Sequence, residues 1–488
     1  MTDRPASIAA VLVATLVVTG VVVAVHLGAR PEAPAGGEAR PKSARHVIVI
    51  DLPGLRPDRM SLYGASRPTT PALAALADRA MVFDAAYSSA VTTLPATASL
   101  HTGLRPRAHG LLHPVNTLSD SYVTLAERLR QNGFSTAAFV DGVHVDRRFG
   151  LAQGFDEYDA RGTRDGGLAK HGPRLLAWIE SHASTPLFAY VQSTDVTAPY
   201  RFGDDAALGD EPAAPDDAER LRKLNGLDVH RRFARARYPT FGALLEAHDR
   251  AVRAADRRLG ELVEQLDAIG VLEDALLIVT APHGTSLLDH GLYAGHGLSL
   301  FEEEARIPLL VKLPSGQHGG VRRADVVRRI DVLSTIARWT GVRSPAEAQG
   351  VDLTPADAGP RVAYGTAPNL YRAGDPTADG RTSFVRAGQW KLLQPPRLPL
   401  DTLVHHHLHH VKGAPYDLER DPLGVRAAVA ETAVMFDVRA DPGEVRSAPL
   451  DETAVAPELL EHLARIEAED DQVRATHVAA DRDDDVNQ

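Results

Sequence analysis

The sequence predicts an α/β protein. A doubly wound, mostly parallel sheet flanked by helices is followed by a smaller C-terminal α+β subdomain and preceded by a transmembrane helix. Three observations point there. Apolar runs at His46 to Ile50, Pro186 to Ser193 and Ala275 to Thr280 have the pattern of strands buried on both faces. Stretches with helical spacing alternate with them, as a parallel sheet with crossover helices requires. The chain also opens on Ile8 to Leu27, which carries no formal charge when His26 is neutral.

Composition narrows the function. The 488 residues suffice for one large domain and a smaller one. A formal net charge of −11 argues against a nucleic-acid partner, which favours a basic face. With no Cys there are no disulfides, thiolate metal sites or thiol nucleophiles. Any attacking group is a hydroxyl or a water.

Ile8 to Leu27 spans about 30 Å as a helix, the thickness of a bilayer core. A secretory signal has a shorter apolar core of roughly 7–15 residues, although Ala33-Pro34-Ala35 fits a cleavage site. The expectation is an uncleaved single-pass anchor in the cytoplasmic membrane, with the globular part extracytoplasmic. Arg4 gives only a weak orientation cue. Gly28 to Ala44 reads as a flexible linker. The α/β domain is expected over 45–355, the smaller subdomain over 356–470 and an acidic, frayed tail over 471–488.

Taken in order, the strand at His46 to Ile50 ends in Asp51-Leu52-Pro53-Gly54-Leu55-Arg56-Pro57-Asp58. Thr70-Pro71 opens a helix with Leu73, Leu76 and Ala77 on one face. Thr92 to Gly103 reads Thr-Thr-Leu-Pro-Ala-Thr-Ala-Ser-Leu-His-Thr-Gly. A helix over Tyr122 to Gln131 stops at Gly133 and precedes a strand at Ser135 to Val140. The strand at Pro186 to Ser193 delivers Asp195-Val196-Thr197-Ala198-Pro199-Tyr200. Asp204 to Arg237 is polar and reads as an exposed insertion. His248 to Ile269 is an amphipathic helix whose apolar stripe is core. The strand at Ala275 to Thr280 runs into Ala281-Pro282-His283-Gly284-Thr285-Ser286. Gly295-His296-Gly297, Phe301-Glu302-Glu303 and Arg306 to Pro314, which includes Lys312, follow. A hairpin is expected around Gly388-Gln389-Trp390-Lys391. His405 to His410 could bind a transition metal, but a polar loop is the simpler reading.

These motifs, in this order and spacing over residues 44 to 450, resemble the sulfatases of the alkaline phosphatase superfamily. The resemblance puts Thr93 at the nucleophile position, Pro95 at the fixed Pro, and Leu100 and Thr102-Gly103 at the motif's close. It places His283 as a metal ligand and His296 and Lys312 beside the substrate. It also marks losses. Pro53 and Pro282 stand where the family has metal-binding Asp, and Gly54 stands at the neighbouring position. Ala96, Thr97 and Thr197 replace polar or basic groups. Asp51 serves as a ligand only if a two-residue insertion follows it; otherwise it is a strand-end residue bonded to backbone.

Ester hydrolysis in this family rests on a divalent cation that polarises the ester and lowers the nucleophile's pKa. Hard cations need several oxygen ligands. The resemblance therefore implies a sulfatase-like pseudoenzyme without a resident cofactor, retaining a pocket for an anionic sugar, sulfate or phosphate around Thr93, His283, His296 and Lys312. The alternative is an active sulfuric or phosphoric ester hydrolase or transferase. It would use Thr93 as nucleophile and a metal (Ca, Mg, Mn or Zn) on a site rebuilt from Asp51, Asp58 or Asp289 with His283.

Overall fold

Strand β1 (His46–Asp51) is buried at every residue because neighbours pair with both its edges. It runs parallel to β5 (Leu187–Gln192) on one side and to β6 (Ala275–Thr280) on the other. In that register Asp51 lies opposite Gln192 and Thr280, so the three carboxyl ends coincide. Open α/β sheets bind ligands at such carboxyl ends. The computed structural model describes residues 43–486 apart from 113–115, 161–166, 201–207, 209–239, 288, 292–294, 298, 357–358, 360, 368–369, 373–380, 396–402, 406–431 and 452.

The main sheet has nine strands in the order β4-β3-β5-β1-β6-β8-β2-β7, with β9 paired to β2. Here β2 is Met81–Tyr87, β3 Ser135–Val140, β4 Glu157–Asp159, β7 Arg306–Ile307, β8 Leu309–Lys312 and β9 Arg322–Arg328. The sheet is mixed rather than mostly parallel. The half from β4 to β6 is parallel, but β8 runs antiparallel to both β6 and β2, and β7 antiparallel to β2. The β6–β8 connection crosses no face of the sheet as a long helix, so nothing imposes the parallel hand there.

Helices α1 (Pro71–Ala77), α2 (Thr93–Thr102), α3 (Leu125–Gln131), α4 (Leu168–Ser181), α5 (Phe241–Ala268) and α6 (Asp331–Thr340) accompany the sheet. Pro71 at N1 presets the first turn of α1. A capping box between Thr124 and Glu127 starts α3. The carboxylate of Asp256 on α5 accepts from the backbone N–H groups of Ala72 and Leu73 and so docks α1.

A second, antiparallel sheet has the order Val362–Ala367, Thr382–Ala387, Trp390–Gln394 and Val434–Asp437. The hairpin at Gly388-Gln389 is present, with Ala387 opposite Trp390. Buried Lys391 ties this sheet to the main one through Glu302 (2.8 Å), just before β7, and is also paired with Glu444 (3.1 Å) from the segment after Val434–Asp437. Helix α7 (Ala456–Val486) covers the small sheet. The tail over 471–488, read above as frayed, is helical as far as Val486, in a helix that Arg105 ties down through Asp470 at 2.8 Å and Arg107 through Asp471 at 2.5 Å.

The membrane expectation is corrected. Among the described residues no helix is long and apolar enough to cross a membrane. The long helices α5 and α7 carry charges throughout, which a bilayer core penalises heavily. Ile8 to Leu27 itself lies outside the described residues. Among the described residues there is thus no spanning helix, and the transmembrane element, single-pass anchoring, membrane partnership and extracytoplasmic placement that rested on one are withdrawn. The insertion at Asp204 to Arg237 and the cluster His406 to His410 also lie outside the described residues, apart from Leu208. His405 ends a short strand, Leu403–His405, paired with Leu370–Arg372.

Candidate functional site

The site forms where β1, β5 and β6 end and α2 begins. After β1 the chain turns at Gly54, whose φ is +92° and whose N–H bonds the His283 carbonyl at 3.0 Å. Leu52 N–H bonds the Thr280 carbonyl at 2.9 Å. These two bonds hold the Pro53 turn against the Pro282-His283 turn. A Cβ at position 54 would lie 2.5 Å from the Val196 carbonyl oxygen, so this position accepts only glycine.

Thr93 is the first residue of α2, and its hydroxyl lies 2.9 Å from His283 Nε2. His283 Nδ1 lies 2.8 Å from the Gly284 carbonyl oxygen, which can only accept. Nδ1 therefore carries the proton, Nε2 is the acceptor, and the Thr93 hydroxyl donates. The His296 ring stacks on His283 at 3.8 Å, and its Nδ1 lies 3.2 Å from the Val91 carbonyl. Burial pushes His283 down to about 4, with the Arg329 charge adding to it and the Gly284 carbonyl opposing. Burial and then the neighbouring His283 push His296 well below its ordinary value. Both rings are neutral at neutral pH. Thr93 thus has an acceptor, but a weak base, since efficient general bases sit near the working pH.

The other expected residues are placed elsewhere. Lys312 pairs across β6 with Leu277, three residues before Thr280, and so lies roughly 10 Å from the strand ends. Its ammonium is buried and donates to the carbonyls of Leu272 and Ala275. Thr97 bonds Gln192 Oε1 at 3.1 Å. The Thr197 hydroxyl has no hydrogen-bond partner among the described residues. Asp58 and Asp289 both turn to Arg56, at 2.7 and 2.5 Å. Burial would raise Asp289, but the Arg56 guanidinium overrides it and holds the carboxyl down to about 2.

Asp51 is wholly buried and receives the Tyr190 hydroxyl at 2.6 Å and the guanidinium of Arg329. Arg329 is wholly buried too, and its other amino group donates to the Ala96 carbonyl of α2. Burial pushes the Asp51 carboxyl up, while Arg329 and Tyr190 pull it back. The sequence reading passed over Arg329 and Tyr190. A cue existed: Arg329 interrupts the apolar run Val326-Val327…Ile330 beside Arg328, which turns to Asp331 at 2.7 Å.

A divalent metal does not fit these donors. Pro53 and Pro282 offer no side-chain oxygen, and Gly54 cannot be replaced. Asp51, Asp58 and Asp289 are each held by a guanidinium. Among the described residues no group of three or more His, Asp or Glu could hold a metal ion.

A mixed nine-stranded α/β sheet, a helix-borne hydroxyl at its carboxyl edge and a small antiparallel sheet beyond define an alkaline phosphatase superfamily fold. The chain belongs to the sulfatase family, whose profile matches residues 45–342. The multifunctional alkaline phosphatase superfamily protein PehA of Trinickia caryophylli is 30% identical over 184 residues, 36% of this chain and 34% of that protein. The chain thus matches only about a third of that relative's length. A structure solved in complex with its substrate D-glucosamine-2-N,6-O-disulfate superposes with a TM-score of 0.64 at 18% identity, covering 88% of this chain and 99% of that one. The phosphonate monoester hydrolase of Silicibacter pomeroyi gives 0.63 at 18% identity, covering 86% and 94%. At such identities the likeness is one of fold. The lack of Cys accords with a degenerate member of the family.

Proposed function

We propose that this chain is a sulfatase-family protein that has given up divalent-metal ester hydrolysis and keeps its site for binding an anionic sugar sulfate or phosphate. The observation that carries this reading is the state of Asp51. It is the one carboxylate at the end of the central strand, and Arg329 and Tyr190 already hold it. Prolines at 53 and 282 remove the remaining oxygen donors. Without a metal the Thr93 hydroxyl keeps its high pKa, and a His283 of pKa about 4 takes its proton poorly. Solved relatives of this fold act on sulfated sugars and phosphonate esters, which supports the ligand class.

The test is metal content and turnover on the full chain. After incubation with Ca²⁺, Mg²⁺, Mn²⁺ and Zn²⁺ and desalting, substoichiometric metal is expected. No hydrolysis of aryl sulfate or aryl phosphate above a Thr93→Ala control is expected either. Stoichiometric metal lost in His283→Ala, together with Thr93-dependent turnover, would overturn the reading. A second reading, an active hydrolase with Thr93 as nucleophile, is favoured only by the 2.9 Å bond from Thr93 to His283, and the same assay decides it.

A further inference from the structure

We infer that the Arg329 guanidinium is the resident cation of this site, a tethered side chain in the charge and anchoring role of a divalent ion. It rests on the reading above and deepens it. Arg329 lies at the junction of β9 and α6, where its backbone N–H is fixed to the Tyr87 carbonyl at 2.9 Å. From that point it reaches two elements of the site. One amino group donates to Ala96 on α2, one turn from Thr93, and another to Asp51 at the end of β1. Through Asp51 it also meets Tyr190 of β5, whose hydroxyl is 2.6 Å from the same carboxylate. Two of these elements, β1 and α2, are the ones that carry Asp51 at the expected ligand end and Thr93 at the nucleophile position.

The donor set explains the exchange. A hard divalent ion needs several oxygens and at least two negative charges for balance. A guanidinium needs acceptors in its plane; one carboxylate and one carbonyl supply them to its two amino groups, while Nε has no partner among the described residues. Asp51⁻ with Arg329⁺ is a balanced pair, wholly buried on both sides. The positive charge is felt beyond the pair. It lowers His101 and His283, whose neutral state burial already favours. Arg329 is therefore a positioning residue. It acts on Thr93 through the Ala96 carbonyl and the first turn of α2, and it repels a second cation.

Restoring carboxylates tests this. A Pro53→Asp/Pro282→Asp protein is prepared with Arg329 intact, with Arg329→Lys and with Arg329→Met, and each is titrated with Mn²⁺ alone by electron paramagnetic resonance. Mn²⁺ affinity at least roughly tenfold higher with Arg329→Met is expected, because a nearby unit charge strongly disfavours a divalent ion. The lysine variant, which keeps the charge, is expected to stay weak. Equal Mn²⁺ affinity in the arginine and methionine backgrounds overturns the inference, as does a folded methionine variant that binds no Mn²⁺. If the triple variant does not fold, Asp51→Asn, Arg329→Met and their combination are compared by urea unfolding. Non-additive midpoints support the pairing, and additive ones overturn it. The functional reading fails on metal and turnover in the unaltered protein, so the two failures are distinguishable.

Discussion

At the scale of single residues, the site is decided by a few positions that cannot revert alone. Gly54 holds φ +92° with its α-hydrogen facing the Val196 carbonyl, so a side chain there meets both strain and a 2.5 Å contact. Gly54→Ala is expected to cost more than about 2 kcal/mol in urea unfolding, since a non-glycine in this region costs on the order of 1–3 kcal/mol before any clash. Pro53→Ala, as a control in the same turn, should shift the midpoint far less. If the two shift equally, the close approach is not what fixes residue 54. The motif residues Thr93, His283 and His296 were legible in the sequence, and the structure brings these three together. Lys312 was misplaced because strand direction is invisible in an apolar run: β8 runs antiparallel to β6, so its last residue faces the far end of the sheet. Arg329 was missed because it comes from a segment with no motif, reaching the site only through tertiary packing.

At the scale of elements, the strands were the most legible feature. Ser135–Val140 and Ala275–Thr280 fall where their apolar runs put them, because a strand buried on both faces leaves little choice of boundary. Helix α7 was not legible, since its polar sequence has no apolar stripe at its far end. Its position depends on arginines more than 300 residues earlier in the chain. Arg105 is buried and faces Asp470, which is also buried, whereas its second partner Glu469 is half exposed. Removing one member of a buried pair strands the other charge, at about 3–5 kcal/mol, while an exposed pair contributes about 0–1 kcal/mol. Arg105→Ala is therefore expected to loosen α7. Hydrogen exchange over residues 456–478 should speed up by roughly a hundredfold or more, whereas Glu469→Gln should leave it nearly unchanged. Equal protection in both variants would mean that the Arg105–Asp470 pair does not hold α7, leaving it to the Arg107–Asp471 pair and the apolar contacts with the small sheet.

At the scale of the whole molecule, buried imidazoles set the response to pH. Burial lowers His101 and His109 to about 3 and His46 and His283 to about 4, from an ordinary value of 6.5. Each is a depressed group, so the unfolded chain binds the extra proton. Their contribution is whole above pH 6.5 and is lost as pH falls toward 4 and then 3. Glu444 runs the other way. Burial, reinforced by Glu302 and Glu303 and opposed by Lys391, pushes it from 4.5 up to about 7. Its contribution is whole below pH 4.5 and is lost as pH rises through 7. His290, raised by Glu303 against the effect of burial, adds to that second trend. Between pH 4.5 and 6.5 five lowered imidazoles, His296 included, oppose Glu444 and three further carboxyls that burial raises, Asp51, Asp256 and Asp470, so histidine wins by a narrow margin. Stability should climb by about 1.4 kcal/mol per pH unit there, the worth of one net proton. It should then flatten and dip slightly near pH 7. Urea unfolding from pH 4.5 to 8 measures both slopes. Glu444→Gln should remove most of the dip and leave the acid limb unchanged. A flat profile below pH 6.5 would show that these imidazoles are protonated in the folded chain, and the neutral Thr93–His283 pair would fall with it.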